Sequence, residues 1–364
     1  MNYEPTETQE MRYMTFPICR QSVRQEQSSD YTLPDYRPEI RRLLHVGTTV
    51  MPPAKYVGGG RVELDGIVEY QILYIGSDGE LYSAPLTGEY SIALPMENAS
   101  AVDMGEGVCV LASAHAESVT PRVTGPRKLS LRTRLLCDVA AYGKRRMEER
   151  IRGEADPESV CVMQKEALMA DFSVLSGDEI VFSEEIDIPD ADVRVISAEG
   201  NVMMHEATAG AGDVTMDGEI YLSLLCAYPD GRVETLRRKR SFDARIDSDD
   251  TMAADASIRP EGYIREMTVN VEEGKALCEM HLLPKARVIA NQPLCYRSDL
   301  FSTQCPCEIE YGTYTLPVHR HTFVGNLTQS ERLSLRESGV PEGATIVASF
   351  GTARLDNGEA QDGK

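Results

Sequence analysis

The chain contains no tryptophan, and only 7 phenylalanines and 16 tyrosines among 364 residues. A platform of exposed rings for stacking sugars or bases therefore has little to be made from. No apolar run approaches the ~20 residues that a membrane-spanning helix needs, and the opening residues carry Glu4, Glu7 and Glu10 where a secretory leader would be basic and then apolar. The expectation is a protein that stays in the cytoplasm and does not insert into membrane. Basic charge is also scarce: 37 Lys and Arg stand against 58 Asp and Glu, a formal net charge of −21. That balance repels phosphate backbones and anionic lipid surfaces, so nucleic acid is not an expected partner.

Catalytic patterns are missing too. There is no G-x-S-x-G and no H-E-x-x-H, and the six histidines (His45, His115, His205, His281, His319, His321) lie in unrelated contexts. The acidic pairs Glu184-Glu185 and Asp249-Asp250 are adjacent in sequence, so on a strand each pair points to opposite faces, a poor arrangement for acid–base work. Gly58-Gly59-Gly60 lacks the Lys-Ser/Thr and the following helix of a phosphate loop, and reads as a hairpin loop. The chain is expected to be non-enzymatic and to need no cofactor.

What is present is the composition of a folded protein: 42% hydrophobic and 26% charged residues. A chain of this length exceeds one ordinary core, so at least two domains are expected. Nine cysteines, an odd number spread through apolar runs, read as buried thiols of a reducing compartment.

The organising feature is a repeat. Residues 62–79, VELDGIVEYQILYIGSDG, share their grammar with residues 214–231, VTMDGEIYLSLLCAYPDG. Asp65-Gly66 corresponds to Asp217-Gly218, and Asp78-Gly79 to Asp230-Gly231, each displaced by 152 positions. All four Asp-Gly pairs read as tight turns, because Gly accepts positive φ and Asp tolerates it. Upstream, Leu33-Pro34-Asp35 corresponds to Ile188-Pro189-Asp190, and Val340-Pro341-Glu342 looks like a third opening. Downstream, Leu129, Leu131, Leu135, Cys137 and Val139 find counterparts in Val269, Val271, Leu277, Cys278, Met280 and Leu282.

Between the turns, Leu64, Val68, Tyr70, Ile72 and Tyr74 share a parity, as a half-buried strand requires. Ile40, Leu43 and Leu44 after Pro38 are spaced as on a short helix, and Lys144–Arg152 reads as a charged helical connector. The expected fold is all-β, with tandem antiparallel β-sandwich-like modules and a few short helices. The expected organisation is a loosely ordered arm over 1–29, modules over 30–143 and 184–292, a linker with short helix and strand over 144–183, and a strand-rich tail over 293–364 that opens a partial third repeat.

The pattern LPDYRPEIRRLL (33–44), followed by LDGIVEYQILYIGSDGELYSA (64–84), resembles the SPOCS domain of the SipL family of spore-forming bacteria. DIPDADVRVIS (187–197) with MDGEIYLSLLCAYPDGRVETL (216–236) resembles the same domain, and EIVFSEEIDIPD (179–190) and ERLSLRESGVPE (331–342) resemble the strand that precedes each copy. The resemblance implies a mother-cell protein that assembles or attaches the spore coat. Its implied partners are other spore-coat or morphogenetic proteins, or further copies of itself. Family members carry a LysM domain that contacts the morphogenetic ATPase SpoIVA, and no such segment is expected after Gly351.

Three groups of side chains remain as site candidates. Cys295, Cys305, Cys307, His319 and His321 are weak candidates for a metal site, since the CPC spacing is one residue where structural zinc sites use two to four. The basic run Arg237-Arg238-Lys239-Arg240 is either a docking patch for an acidic partner or the charged protection of an edge strand. Tyr296, Tyr311 and Tyr314 would serve the alternative function, a spore-envelope binding module for a cell-wall glycan or other ligand.

Overall fold

The computed structural model describes residues 12–97, 102–147, 160–188, 192–248, 256–304, 306–320, 322, 330, 340–341 and 343–351. It is all-β, with fourteen strands and no helix among the described residues. Four antiparallel sheets are arranged as the blades of a four-bladed β-propeller. Blade I is ordered β1 (Tyr13–Thr32), β7 (Lys128–Arg146), β6 (Asp103–Gly125). Blade II is centred on β4 (Arg61–Gly76), flanked by β5 (Leu81–Pro95) on one side and by β2 (Ile40–Val50) and β3 (Ala54–Gly58) on the other. Blade III is β10 (Arg194–Ala209), β11 (Asp213–Ala227), β12 (Val233–Asp247). In blade IV, β14 (Lys275–Ser302) pairs with β13 (Ser257–Glu272), β8 (Val160–Ser176) and β9 (Ile180–Asp187).

This architecture corrects the expectation of sandwich-like modules with short helices. The misreading of residues 38–44 has a physical cause. β2 carries register shifts between Ile40 and Arg42 and between Leu43 and His45. Each bulge inserts a residue and flips the following parity, so Ile40 and Leu43 both reach the core at a spacing that imitates a helix. Lys144–Arg146 continue β7, Met147 follows with its amide donating to Arg12 O, and the rest of the expected connector, 148–152, lies outside the described residues.

Residues 13–29 of the expected loosely ordered arm are strand, since β1 pairs with β7 from Tyr13↔Arg146 to Thr32↔Lys128, while residues 1–11 lie outside the described residues. The segment 144–183 holds β8 of blade IV and the first half of β9. Blades I and II thus come from residues 13–146, and blades III and IV from residues 160–302. Of the expected tail strands, ERLSLRES (331–338) lies outside the described residues, and 344–351 is described but pairs in no sheet.

Alternating side chains fill the blade junctions. Val62, Leu64, Val68, Tyr70, Ile72 and Tyr74 of β4 meet Leu129, Leu131, Leu135, Cys137 and Val139 of β7 in one core between blades I and II. Val214, Met216, Ile220, Leu222 and Leu224 of β11 meet Cys278, Met280 and Leu282 of β14 between blades III and IV. Val269 and Val271 sit on β13, so only part of the downstream repeat matches strand for strand. Each aliphatic side chain buried this way contributes roughly 1.5–3 kcal/mol.

The other two junctions are thinner. Met14, Met147, Met169 and Leu294 form a small cluster between blades I and IV, where the rings of Tyr142 and Phe172 stack at 3.8 Å. Blades II and III meet through polar contacts: Ser83 Oγ donates to the Ile196 carbonyl, and Arg194 pairs with Glu80 at 3.1 Å.

Candidate interaction site

Among the turn pairs, Asp78-Gly79 and Asp230-Gly231 are turns. Their glycines have φ of 91° and 83°, where an L side chain is strained. The aspartates act alike, Asp78 Oδ1 accepting from Glu80 N at 3.0 Å and Asp230 Oδ1 from Arg232 N at 2.9 Å. Asp65-Gly66 and Asp217-Gly218 are not turns, which corrects the expectation: they lie inside β4 and β11. Gly66 is paired with Tyr90 and Gly218 with Phe242, and each glycine leaves an inward position that the aromatic ring across the strand fills. The Leu33 and Ile188 openings are also equivalent. Both side chains are buried, and their amides donate to Arg127 O and Gly274 O at 2.8 and 2.7 Å.

The basic run lies on β12, the edge strand of blade III. An unpaired edge is a template for another strand, and charge is a common guard. Two of the four cations are engaged within the fold: Lys239 Nζ is 2.6 Å from Glu219 Oε1, and Arg240 Nη1 donates to Glu184 Oε2 and to the Ser183 carbonyl of β9, both at 2.9 Å. Glu219 pulls the Lys239 pKa upward, and is itself lowered by Lys239 and Tyr221. Arg237 and Arg238 are exposed.

Across one face of blade III runs a strap, residues 344–351, opened by a turn in which Ala344 N donates to Pro341 O and Gly343 has φ 84°. Thr235 Oγ1 of β12 donates to Val347 O at 2.7 Å, and the Phe350 ring stacks on His45 of β2 at 4.1 Å and 13°. The strap thereby bridges blades II and III. Beneath it lies a cavity of about 40 Å³ lined by Glu199, Ser223, Thr235 and Arg237 together with Ser349 and Phe350, room for about one water. Burial raises the Glu199 pKa and lowers that of His45.

A second polar cluster sits where blades I, II and IV converge. Lys55 Nζ donates to Val110 O at 2.9 Å and Arg287 Nη2 to Ala112 O at 3.4 Å, so both cations cap alternate carbonyls on the edge of β6 that pairs with no described strand. Arg287 is also held by Glu261 at 2.7 Å, and Lys144 by Asp171 at 2.6 Å. Burial, then repulsion from Arg287 and Lys285, lowers the Lys55 pKa. These bonds tie three blades together, and their geometry is that of a clasp.

The metal candidates are not assembled among the described residues. Cys295 Sγ donates to Glu166 Oε1 at 3.5 Å, His319 Nε2 lies 3.1 Å from Thr322 Oγ1, and Cys307 is exposed. Cys305 and His321 lie outside the described residues, and no group of three metal-ligating side chains occurs within them. The tyrosines are divided: Tyr296 packs on the methionine cluster, Tyr314 lies 5.6 Å from the Arg145 guanidinium, and Tyr311 is exposed with its hydroxyl donating to Asp299 at 3.4 Å. No described helix is long and apolar enough to cross a membrane.

No family model, no curated protein and no solved structure matches the chain. His45, Glu199, Thr235 and Phe350 carried no sequence signal as a group. They come from two halves of the chain and a tail, joined only by the closing of blade II against blade III.

Proposed function

We propose that this chain is a non-enzymatic structural protein that works by protein–protein contact, assembling or attaching the spore coat from the mother-cell cytoplasm. The observation that carries the reading is the edge of β12, unpaired among the described strands, with Arg237 and Arg238 exposed on a chain of net charge −21. A basic edge on an acidic body favours acidic protein partners, including the same chain, through strand addition and charge. The resemblance of residues 33–44 and 64–84 to the SPOCS domain supports a setting in sporulation. A glycan-binding role has less support, because two of its three tyrosines are occupied by Arg145 and by the methionine cluster.

The test is a tagged full chain in a sporulating host, compared with an Arg237→Glu/Arg238→Glu variant whose circular dichroism is unchanged. The wild type should encircle the forespore and co-purify with coat proteins, and the variant should lose both. A wild type spread evenly through the cell, with no coat protein recovered, overturns the reading.

A further inference from the structure

We propose that residues 344–351 are exchanged between copies, each chain laying its strap into the seat between blades II and III of a second copy. This deepens the assembly reading and rests on it, by naming the partner as the same chain.

The seat is defined by contacts any copy of the strap can make. Thr235 Oγ1 needs a carbonyl at the position of Val347, and His45 needs a ring at the position of Phe350. The strap adds no strand to a sheet, so its exchange disrupts no backbone ladder. Exchanging an identical segment replaces each contact with its equal, which is why swapping costs little beyond the entropy of association. The strap also leaves much of its apolar surface uncovered in a single chain: Ile346 is 67% exposed and Phe350 40%, and Leu44, one residue from His45, is 43% exposed. A second body beside the seat would bury these side chains.

Reach is sufficient. Among the described residues before the strap, Thr322 is held by bonds to Ser257 and His319. From there to Ala344 the chain has 22 residue steps, a span of up to ~75 Å at full extension. A body of this length has a radius of gyration of about 21 Å, so a neighbouring seat lies within that span. Charge also permits the approach. Residues 340–351 contain one charged side chain, Glu342, so the donated segment adds almost nothing to the repulsion between two acidic bodies.

The experiment mixes two full-length single variants, Thr235→Cys at natural isotope abundance and Val347→Cys in heavy-isotope form. After mild oxidation, linked peptides are read by mass spectrometry. Exchange predicts a 235–347 link joining light to heavy peptide. A link that forms only within one chain of the Thr235→Cys/Val347→Cys double variant, never between the mixed singles, overturns the proposal. As a second arm, Phe350→Ala should weaken self-association at least tenfold by light scattering with little change in melting temperature. Unchanged association overturns the proposal, and coat proteins still recovered with a chain that does not exchange its strap would leave the assembly function standing.

Discussion

The ring of Tyr90 lies over Gly66, its direct cross-strand partner, so closely that a Cβ on Gly66 would run into it. The second copy repeats the relationship 152 positions on, where a Cβ on Gly218 would meet the Phe242 ring at 2.8 Å. Glycine is normally a weakness in a strand interior, and an aromatic across from it restores the buried surface. Gly66→Ala and Gly218→Ala should each destabilise by about 1–3 kcal/mol, the usual cost of overpacking, read as a lower urea midpoint at constant slope. Adding Tyr90→Leu to Gly66→Ala should cost less than the sum of the two single changes. A Gly66→Ala chain as stable as the parent would show that the ring can move aside freely.

Tyr70 and Thr133 make the polar contact at the heart of the first core. Their oxygens lie 2.7 Å apart with both residues buried, joining β4 of blade II to β7 of blade I. Burial holds the Tyr70 pKa above its ordinary value, so the neutral phenol is the form that bonds. Tyr70→Phe leaves the threonine hydroxyl without this partner and should cost about 1–3 kcal/mol. Tyr70→Phe with Thr133→Val removes both groups and should be milder than the two costs added, as a double-mutant cycle in urea would show. Strict additivity would mean that the two groups do not interact.

Strand content, the pairing of the two copies and the turns at Gly79 and Gly231 were legible in the sequence, because period-two burial and Asp-Gly turns are local signals. Three features were not. Bulges in β2 turned a strand into an apparent helix at Ile40 and Leu43. Gly66 and Gly218 resembled turn residues, because the ring that explains each lies more than twenty residues away. β1 is polar on its outer face and Gln-rich, and only its pairing with β7 reveals it as a strand. The strap seat was illegible for the same reason at larger scale, since His45, Glu199, Thr235 and Phe350 belong to one site only through blade closure.

Cysteine reactivity should divide along the blade cores. Burial pushes the thiols of Cys137, Cys226 and Cys278 up to about 11, and all three are fully enclosed. A thiol with that pKa holds almost no thiolate at neutral pH, and thiolate is the reacting form. Native alkylation followed by mass spectrometry should modify exposed Cys161 and Cys307 first. The three core thiols should react only after urea unfolds the chain. Modification of Cys137 at the rate of Cys161 would mean that the first core opens readily.

Glu199 makes stability depend on pH at the strap seat. Burial raises its pKa in the fold above the ordinary 4.5, so the folded chain holds this proton where the unfolded chain has released it. Its stabilising effect is complete below the unfolded value and is lost as pH rises through the folded one. Glu199→Gln keeps the shape and removes the titration. The variant should match the parent at about pH 4, where most of the carboxyl is protonated in either state, and should be the more stable of the two at neutral pH. Urea midpoints for both chains across that range are the measurement, and the gap should open as pH rises. Arg237 lines the same cavity, and if its guanidinium swings onto the ionised carboxylate the gap will close or reverse. That outcome would make the Glu199–Arg237 pair, rather than the buried neutral acid, the group that supports the strap.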